Sequence, residues 1–275
     1  RDEVDLLDFD QVEEFFAAEK PSYVIDAAAK VGGILANDTH PADFIRDNLR
    51  IQTNLIEASY AHGVKKFVFL GYSCIYPRMA PQPIREEYLL SGPLEPTNEW
   101  YAVAKIAGIK MCQAYRKQHG FNAICLVPTN LYGPNDTYDP ATSHVLPALL
   151  RRVHEAYVSG DASVSIWGTG RPRREFLFVD DLADAVVFTL TSYDGESPLN
   201  VGTGVDVTIR QLAAVIAGVV GWDGDFVYDT SKPDGTLGMR LDVSRIERLG
   251  WSARTDLRSG IEAMYRDFLE HGTGR

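Results

Sequence analysis

The sequence predicts an α/β protein built on a doubly wound parallel sheet, with a smaller lobe toward its C-terminal side. Three observations lead there. Across the first half, short apolar runs alternate with amphipathic segments of ten or more residues, the pattern of parallel strands joined by helical crossovers. Beyond about residue 140 the elements shorten and the loops become more polar. The length, 275 residues with 45% hydrophobic and 24% charged side chains, suits one large domain or one and a half with a core that needs no staples.

Each element has its own signal. Val12, Phe15 and Phe16 place an apolar face on a helix over 10–20, and the apolar run 23–28 reads as a buried strand. Phe44, Ile45, Leu49, Leu55 and Ile56 recur at helical spacing over 41–62, and Gly63 stops that helix. Residues 66–70 form a second buried strand, 99–119 a helix closed by Gly120, and 123–127 a third strand. A helix over 144–157, a short strand over 164–167 ahead of Gly168-Thr169-Gly170, and a helix over 180–190 follow. Thr208 caps a helix running to Val220, and Asp256 opens a last one toward His271. This divides the chain into a dinucleotide-binding domain over 1–140 and a substrate lobe over 141–275, parts of which return to the sheet.

Composition excludes several classes. A net charge of -11 argues against a nucleic-acid partner. The three cysteines, Cys74, Cys112 and Cys125, are odd in number and lack paired spacing, so neither a disulfide framework nor a metal site is expected. No apolar run reaches the ~20 residues of a membrane span, and the N-terminus does not read as a signal peptide. A soluble, cytoplasmic protein is expected.

Doubly wound dinucleotide folds open with a strand, a Gly-rich turn and a helix whose N-terminus holds the pyrophosphate. No such turn precedes the first helix here. Gly32-Gly33 follows a strand, but it lacks the spacing and reads as leading into a loop. A first unit of roughly 30 residues is therefore expected ahead of Arg1.

Tyr101 and Lys105 lie four apart at the start of a helix, on one face. An ammonium beside a phenol favours the phenolate, so Tyr101 is expected to have a lowered pKa and to serve as proton donor to a carbonyl oxygen receiving hydride. As an isolated spacing this is a weak signal, and a surface helix pair is the better explanation of it.

The surrounding motifs change that. Gly71-Tyr72-Ser73-Cys74-Ile75-Tyr76-Pro77 follows the second strand. Then come Pro128-Thr129-Asn130-Leu131-Tyr132-Gly133-Pro134, Arg174-Glu175-Phe176-Leu177-Phe178-Val179-Asp180-Asp181 and Asn200-Val201-Gly202-Thr203-Gly204. Their order resembles the extended short-chain dehydrogenases acting on nucleotide sugars. Lys30-Val31-Gly32-Gly33-Ile34, Leu94-Glu95-Pro96-Thr97-Asn98, Ala104-Lys105-Ile106-Ala107-Gly108, Ser143-His144 and Ser231-Lys232-Pro233-Asp234-Gly235-Thr236 narrow the resemblance to the GDP-L-fucose synthase family, over the whole chain.

The resemblance implies that GDP-4-keto-6-deoxy-D-mannose is epimerised at C3 and C5 and reduced at C4 by NADPH. Cys74 and His144 match the family's acid–base pair for epimerisation. Without the family, a small buried hydrophobe and a helix-cap residue would describe them. Tyr101 would protonate the C4 oxygen, and Lys105 would also hold the nicotinamide ribose. NADP contacts are implied at Arg1, Asp5, Leu6, Leu70, Gly71, Ser73, Lys105, Pro128, Asn130, Leu131 and His144. GDP-sugar contacts are implied at Arg152, Trp167, Arg174 and Asp234, and a homodimer through a helix pair that includes the Tyr101 helix.

Two positions depart from the family's pattern. Tyr72 stands where the family has the Ser that completes a Ser-Tyr-Lys triad. It is expected to crowd the nicotinamide and sugar, and strand alternation should turn Ser73 away. Leu237-Gly238-Met239 replaces a Pro-Arg-Lys, although Arg240 follows, which is expected to weaken GDP binding or change the nucleotide preference. Two other readings stay open. One is a 4,6-dehydratase or 4-epimerase on another nucleotide sugar, against which Cys74 and His144 speak. The other is a degenerate homologue that binds without turnover, which Tyr72 favours.

Overall fold

The computed structural model describes residues 3–140, 142–232, 234 and 238–272. The main sheet is parallel, in the order β1 (Tyr23–Asp26), β2 (Lys66–Leu70), β3 (Ala123–Pro128) and β7 (Leu199–Val201). Phe67, Val68, Phe69 and the whole of β3 are buried, so these strands read as continuous apolar runs, as strands covered on both faces must. Helices α1 (Phe9–Glu19), α3 (Pro41–Ala61), α4 (Glu99–His119) and α6 (Val179–Ser192) connect and cover them.

Lys66 is buried at the start of β2. Its ammonium donates to the carbonyls of Thr189, Leu190 and Tyr193, which satisfies the open C-terminal end of α6.

A second core lies around α5 (Val145–Ser159), α7 (Ile209–Val220) and α9 (Leu257–His271), with Leu149, Val153, Leu212, Ile216 and Met264 at its centre. Two small sheets flank it. β4 (Asn130–Tyr132) pairs parallel with β6 (Arg173–Phe178), which pairs antiparallel with β8 (Asp206–Thr208). β5 (Ser163–Trp167) pairs parallel with β9 (Asp225–Asp229). A short helix α8 (Ser244–Leu249) packs back on β7.

Two expectations need correcting. Gly32-Gly33 does not lead into a loop: Gly33 is the N-cap of a short helix α2 (Ile34–Thr39), which packs on the turn Pro96–Asn98. The first strand stops at Asp26 and is not the buried strand expected: it lies at the end of the strand order, with Tyr23 and Ile25 exposed.

Candidate active site

The C-terminal ends of β2 and β3 and the first turns of α4 converge on one buried centre, the place where open α/β sheets bind ligands. The α3–α4 pair fixes the height of α4 over the sheet. Gly108 allows it: a Cβ there would lie 2.3 Å from the Phe69 ring. Gln52 of α3 donates to the Ala104 carbonyl at 2.7 Å.

Lys105 is buried in this centre. Its ammonium donates to the Leu70 carbonyl at 2.9 Å, lies 4.8 Å from the Phe69 ring centre and 5.9 Å from that of Tyr101. The lowered pKa expected for Tyr101 is not found. Burial pushes the phenol well above its ordinary value, and Cys74, Tyr72 and Asp26 add to that. The four-residue spacing does bring both side chains to one face, but the ammonium is directed to the end of β2. Burial thus favours the neutral phenol at Tyr101.

Cys74 sits in the 3-10 turn Ser73–Ile75 after β2. Burial pushes its thiol up to about 12, with the Lys105 charge pulling the other way. Ser73 is buried and its hydroxyl has no hydrogen-bond partner among the described residues. Its orientation is set by this turn, not by strand alternation.

Tyr72 points its hydroxyl to Asn130 Oδ1 at 2.7 Å, and its ring meets that of Tyr101 edge-on at 6.3 Å. Asn130 in turn donates to the Glu175 carbonyl at 2.8 Å. Burial raises the Tyr72 pKa above its ordinary value. Arg174 reaches the same centre electrostatically: burial lowers its pKa, and Tyr72 and Glu95 raise it. Leu70 ends β2 and Pro128 ends β3, and the Gly71 amide bonds to the Leu126 carbonyl at 2.8 Å. Leu131 pairs with Leu177 between the small sheet's strands.

A second group surrounds β5. Arg152 of α5 donates to the Ser165 carbonyl at 2.8 Å. Trp167 is 69% exposed, so it is not a core residue, and the Lys232 ammonium lies 5.5 Å from its ring centre. Asp234 accepts from the Thr169 amide at 2.8 Å and its hydroxyl at 2.7 Å, which fixes the turn after Trp167. Gly168 in that turn has φ 79 and no room for a Cβ beside Asp234.

His144 is the exposed N-cap residue of α5 and makes no side-chain cap bond. Burial raises the pKa of nearby Asp136, with His144 pulling it down, and among the described residues no hydrogen bond joins His144 to Cys74. Gly33 packs against the carbonyls of Thr142 and Ser143, 3.6 and 3.8 Å from where its Cβ would be, so the α2 turn abuts the loop carrying His144. Asp5 and Leu6 lie apart from this centre in their bonding. Asp5 bonds with Leu7 and Gln11, and the Leu6 carbonyl accepts from Asn54 of α3. Met239 packs its side chain against the main core. Arg1 lies outside the described residues.

Residues 1–202 match the family described as "NAD dependent epimerase/dehydratase family". The chain belongs to that family. It is 60% identical over 98% of its length to "Putative GDP-L-fucose synthase 2" of Arabidopsis thaliana, covering 82% of that protein. It is 51% identical over 98% of its length to "GDP-L-fucose synthase" of Escherichia coli (strain K12), covering 87% of it. Among solved structures, a GDP-L-fucose synthetase from Naegleria fowleri bound to NADP superimposes with TM-score 0.91 at 30% identity, over 98% of this chain and 83% of that one.

Within the epimerase/dehydratase fold seen here, two buried acids went unread in the sequence. Asp26 was concealed in an apolar run, although a lone carboxylate in such a run is itself a signal. Glu175 is fully buried, and its carboxylate accepts from the amides of Thr203, Gly204 and Leu241 at 2.6–2.9 Å, tying the Gly202-Thr203-Gly204 turn to β6.

Proposed function

We propose that this chain reduces GDP-4-keto-6-deoxy-D-mannose at C4 with NADPH after epimerising C3 and C5, yielding GDP-L-fucose. The single observation that carries the reading is the convergence of half-buried Tyr101 with buried Lys105 and Cys74 beyond the end of β2, in a chain so similar to proteins named GDP-L-fucose synthase.

The nicotinamide end of NADP fits this centre. The Lys105 ammonium has three donors and one hydrogen bond among the described residues, at the ends of β2 and β3 where Leu70, Gly71 and Pro128 would face the cofactor. Ser73, Asn130, Leu131 and His144 would complete that side, with Asp5 and Leu6 toward the nucleotide's other end. When bound, NADPH supplies the hydride that C4 receives.

The chain's own residues supply the protons. A 4-keto group acidifies the hydrogens on C3 and C5. Cys74 takes or gives a proton on one face and His144 on the other, while donors at the C4 oxygen stabilise the enolate. Tyr101, held neutral by burial, donates its proton to the C4 oxygen as reduction proceeds. Arg174 and Arg152 balance the diphosphate, and exposed Trp167 with Asp234 borders the nucleoside.

The protein acts as a homodimer through the α3–α4 face, where Trp100 and Val103 are exposed. Three free, buried cysteines suit the reducing cytoplasm. Tyr72 favours a second reading, a homologue slowed at the reduction step, because its hydroxyl is engaged by Asn130.

Product analysis tests the proposal. Incubation of the full-length protein with GDP-4-keto-6-deoxymannose and NADPH should give GDP-L-fucose by NMR. A 6-deoxy sugar reduced at C4 with C3 and C5 uninverted would contradict the epimerase half.

A further inference from the structure

Asp26 is the last residue of β1, and it is 1% exposed. Its Oδ1 accepts from the Ala28 amide at 3.1 Å, while Oδ2 is buried with no hydrogen-bond partner among the described residues. In the parallel register Asp26 lies opposite Phe69 of β2. Residues opposed in this way direct their side chains to the same face of the sheet.

That face is the one α4 covers. The Lys105 ammonium stands over the Phe69 ring and donates to Leu70, the residue after Phe69. A buried carboxylate with a free oxygen and a buried ammonium with free donors therefore flank one aromatic ring. Unpaired buried charges are expensive, so each is the other's compensation. The remaining titratable groups that feel Asp26 are Tyr101 and Cys112 of α4, the latter hydrogen-bonded to Cys125 of β3, and burial pushes both Tyr101 and Cys112 further toward their neutral forms.

We propose that Asp26 is a positioning residue for Lys105: its carboxylate is the buried counter-charge that keeps the ammonium charged and placed at the end of β2. The proposal rests on the reading of Tyr101 and Lys105 as the proton-transfer pair. Two consequences follow in chemistry. Lys105 holds the field that favours a Cys74 thiolate, so Asp26 acts on Cys74 through it. Burial pushes Asp26 up to about 6 against the pull of Lys105, so this support weakens as the pH falls toward that value.

The test is a titration of Lys105 followed by NMR of 15N-labelled lysine, with the Lys105 signal assigned by its absence in Lys105→Met. It compares the parent with Asp26→Asn and Asp26→Leu; the apolar variant covers the case in which the amide is not accommodated. Both variants should lower the Lys105 pKa by about one unit or more and abolish the inflection that Asp26 imposes on the Lys105 signal near pH 6. The alkaline limb of kcat/KM should move down in pH by the same interval. A folded variant with an unchanged Lys105 titration overturns the proposal. Tyr101→Phe separates the two readings. If it retains turnover, the catalytic assignment fails while the Lys105 titration still decides the role of Asp26. If it is inactive and Lys105 titrates as in the parent, only the Asp26 proposal fails.

Discussion

The Tyr72 hydroxyl donates a 2.7 Å hydrogen bond to Asn130 Oδ1, which spends on the protein the donor that a side chain at this position could offer a C4 oxygen. Asn130 is itself anchored to the Glu175 carbonyl, so the bond belongs to a chain from the segment after β2 through β4 to β6. Replacing Tyr72 by Ser frees the space beside Tyr101 and restores a short hydroxyl. Removal of one such donor costs on the order of 10²–10³ in rate, so Tyr72→Ser should raise kcat by a sizeable part of that factor. Initial rates of NADPH oxidation at 340 nm, parent against variant, decide it. Equal rates would show that Tyr72 is no obstacle.

Cys74 is buried and held as the thiol. If it exchanges the C3 and C5 protons, Cys74→Ser should abolish deuterium uptake from D2O into the keto sugar, measured without NADPH. His144→Asn should reduce the same uptake if the two groups serve opposite faces as proposed. Undiminished uptake in Cys74→Ser would remove it from the epimerisation.

Asp26 should leave a mark on stability against pH. Its folded pKa, about 6, is raised above the unfolded value of 3.8. The folded state therefore holds a proton that the unfolded state releases between those values, and stability falls as pH rises through that window. The loss is complete above pH 6 and amounts to about 3 kcal/mol, at ~1.4 kcal/mol per pKa unit. Urea melts from pH 4.5 to 8 should show that Asp26→Leu gains on the parent as pH rises, mostly below about pH 6.5. A constant difference between the two would contradict the raised pKa.

Glu175 closes the Gly202-Thr203-Gly204 turn by accepting three backbone amides while fully buried. Glu175→Gln turns a donor toward at least one of those amides. The expected cost is about 2–4 kcal/mol, read as a lower urea midpoint with an unchanged slope. An unchanged midpoint would show that the turn holds without the carboxylate.

The central strands were legible because apolar runs such as Phe67-Val68-Phe69 and Ile124-Cys125-Leu126 have one destination, a sheet covered on both faces. β4, β7 and β8 are three residues each, too short to carry a period, and are made by their partners. α2 hid behind Gly33, which reads as a loop residue until Thr142 and Ser143 are seen packed against it. At the site, the motifs placed Tyr101, Lys105, Cys74 and Tyr72 together. They could not show where the Lys105 ammonium goes, since i, i+4 spacing gives a shared face but not a partner. Burial, with Cys74, Tyr72 and Asp26 around it, reverses the expected pKa direction at Tyr101. Asp26 acts on Lys105 from a different element, a relation no local pattern encodes.

The most direct test of the account is NADPH oxidation at 340 nm by the full-length protein given GDP-4-keto-6-deoxymannose, run beside Tyr101→Phe. One NADPH should be consumed per GDP-L-fucose formed, slowly in the parent and faster in Tyr72→Ser, with loss of that consumption in Tyr101→Phe. Oxidation by Tyr101→Phe at the parent's rate, or none by either the parent or Tyr72→Ser, would contradict the account.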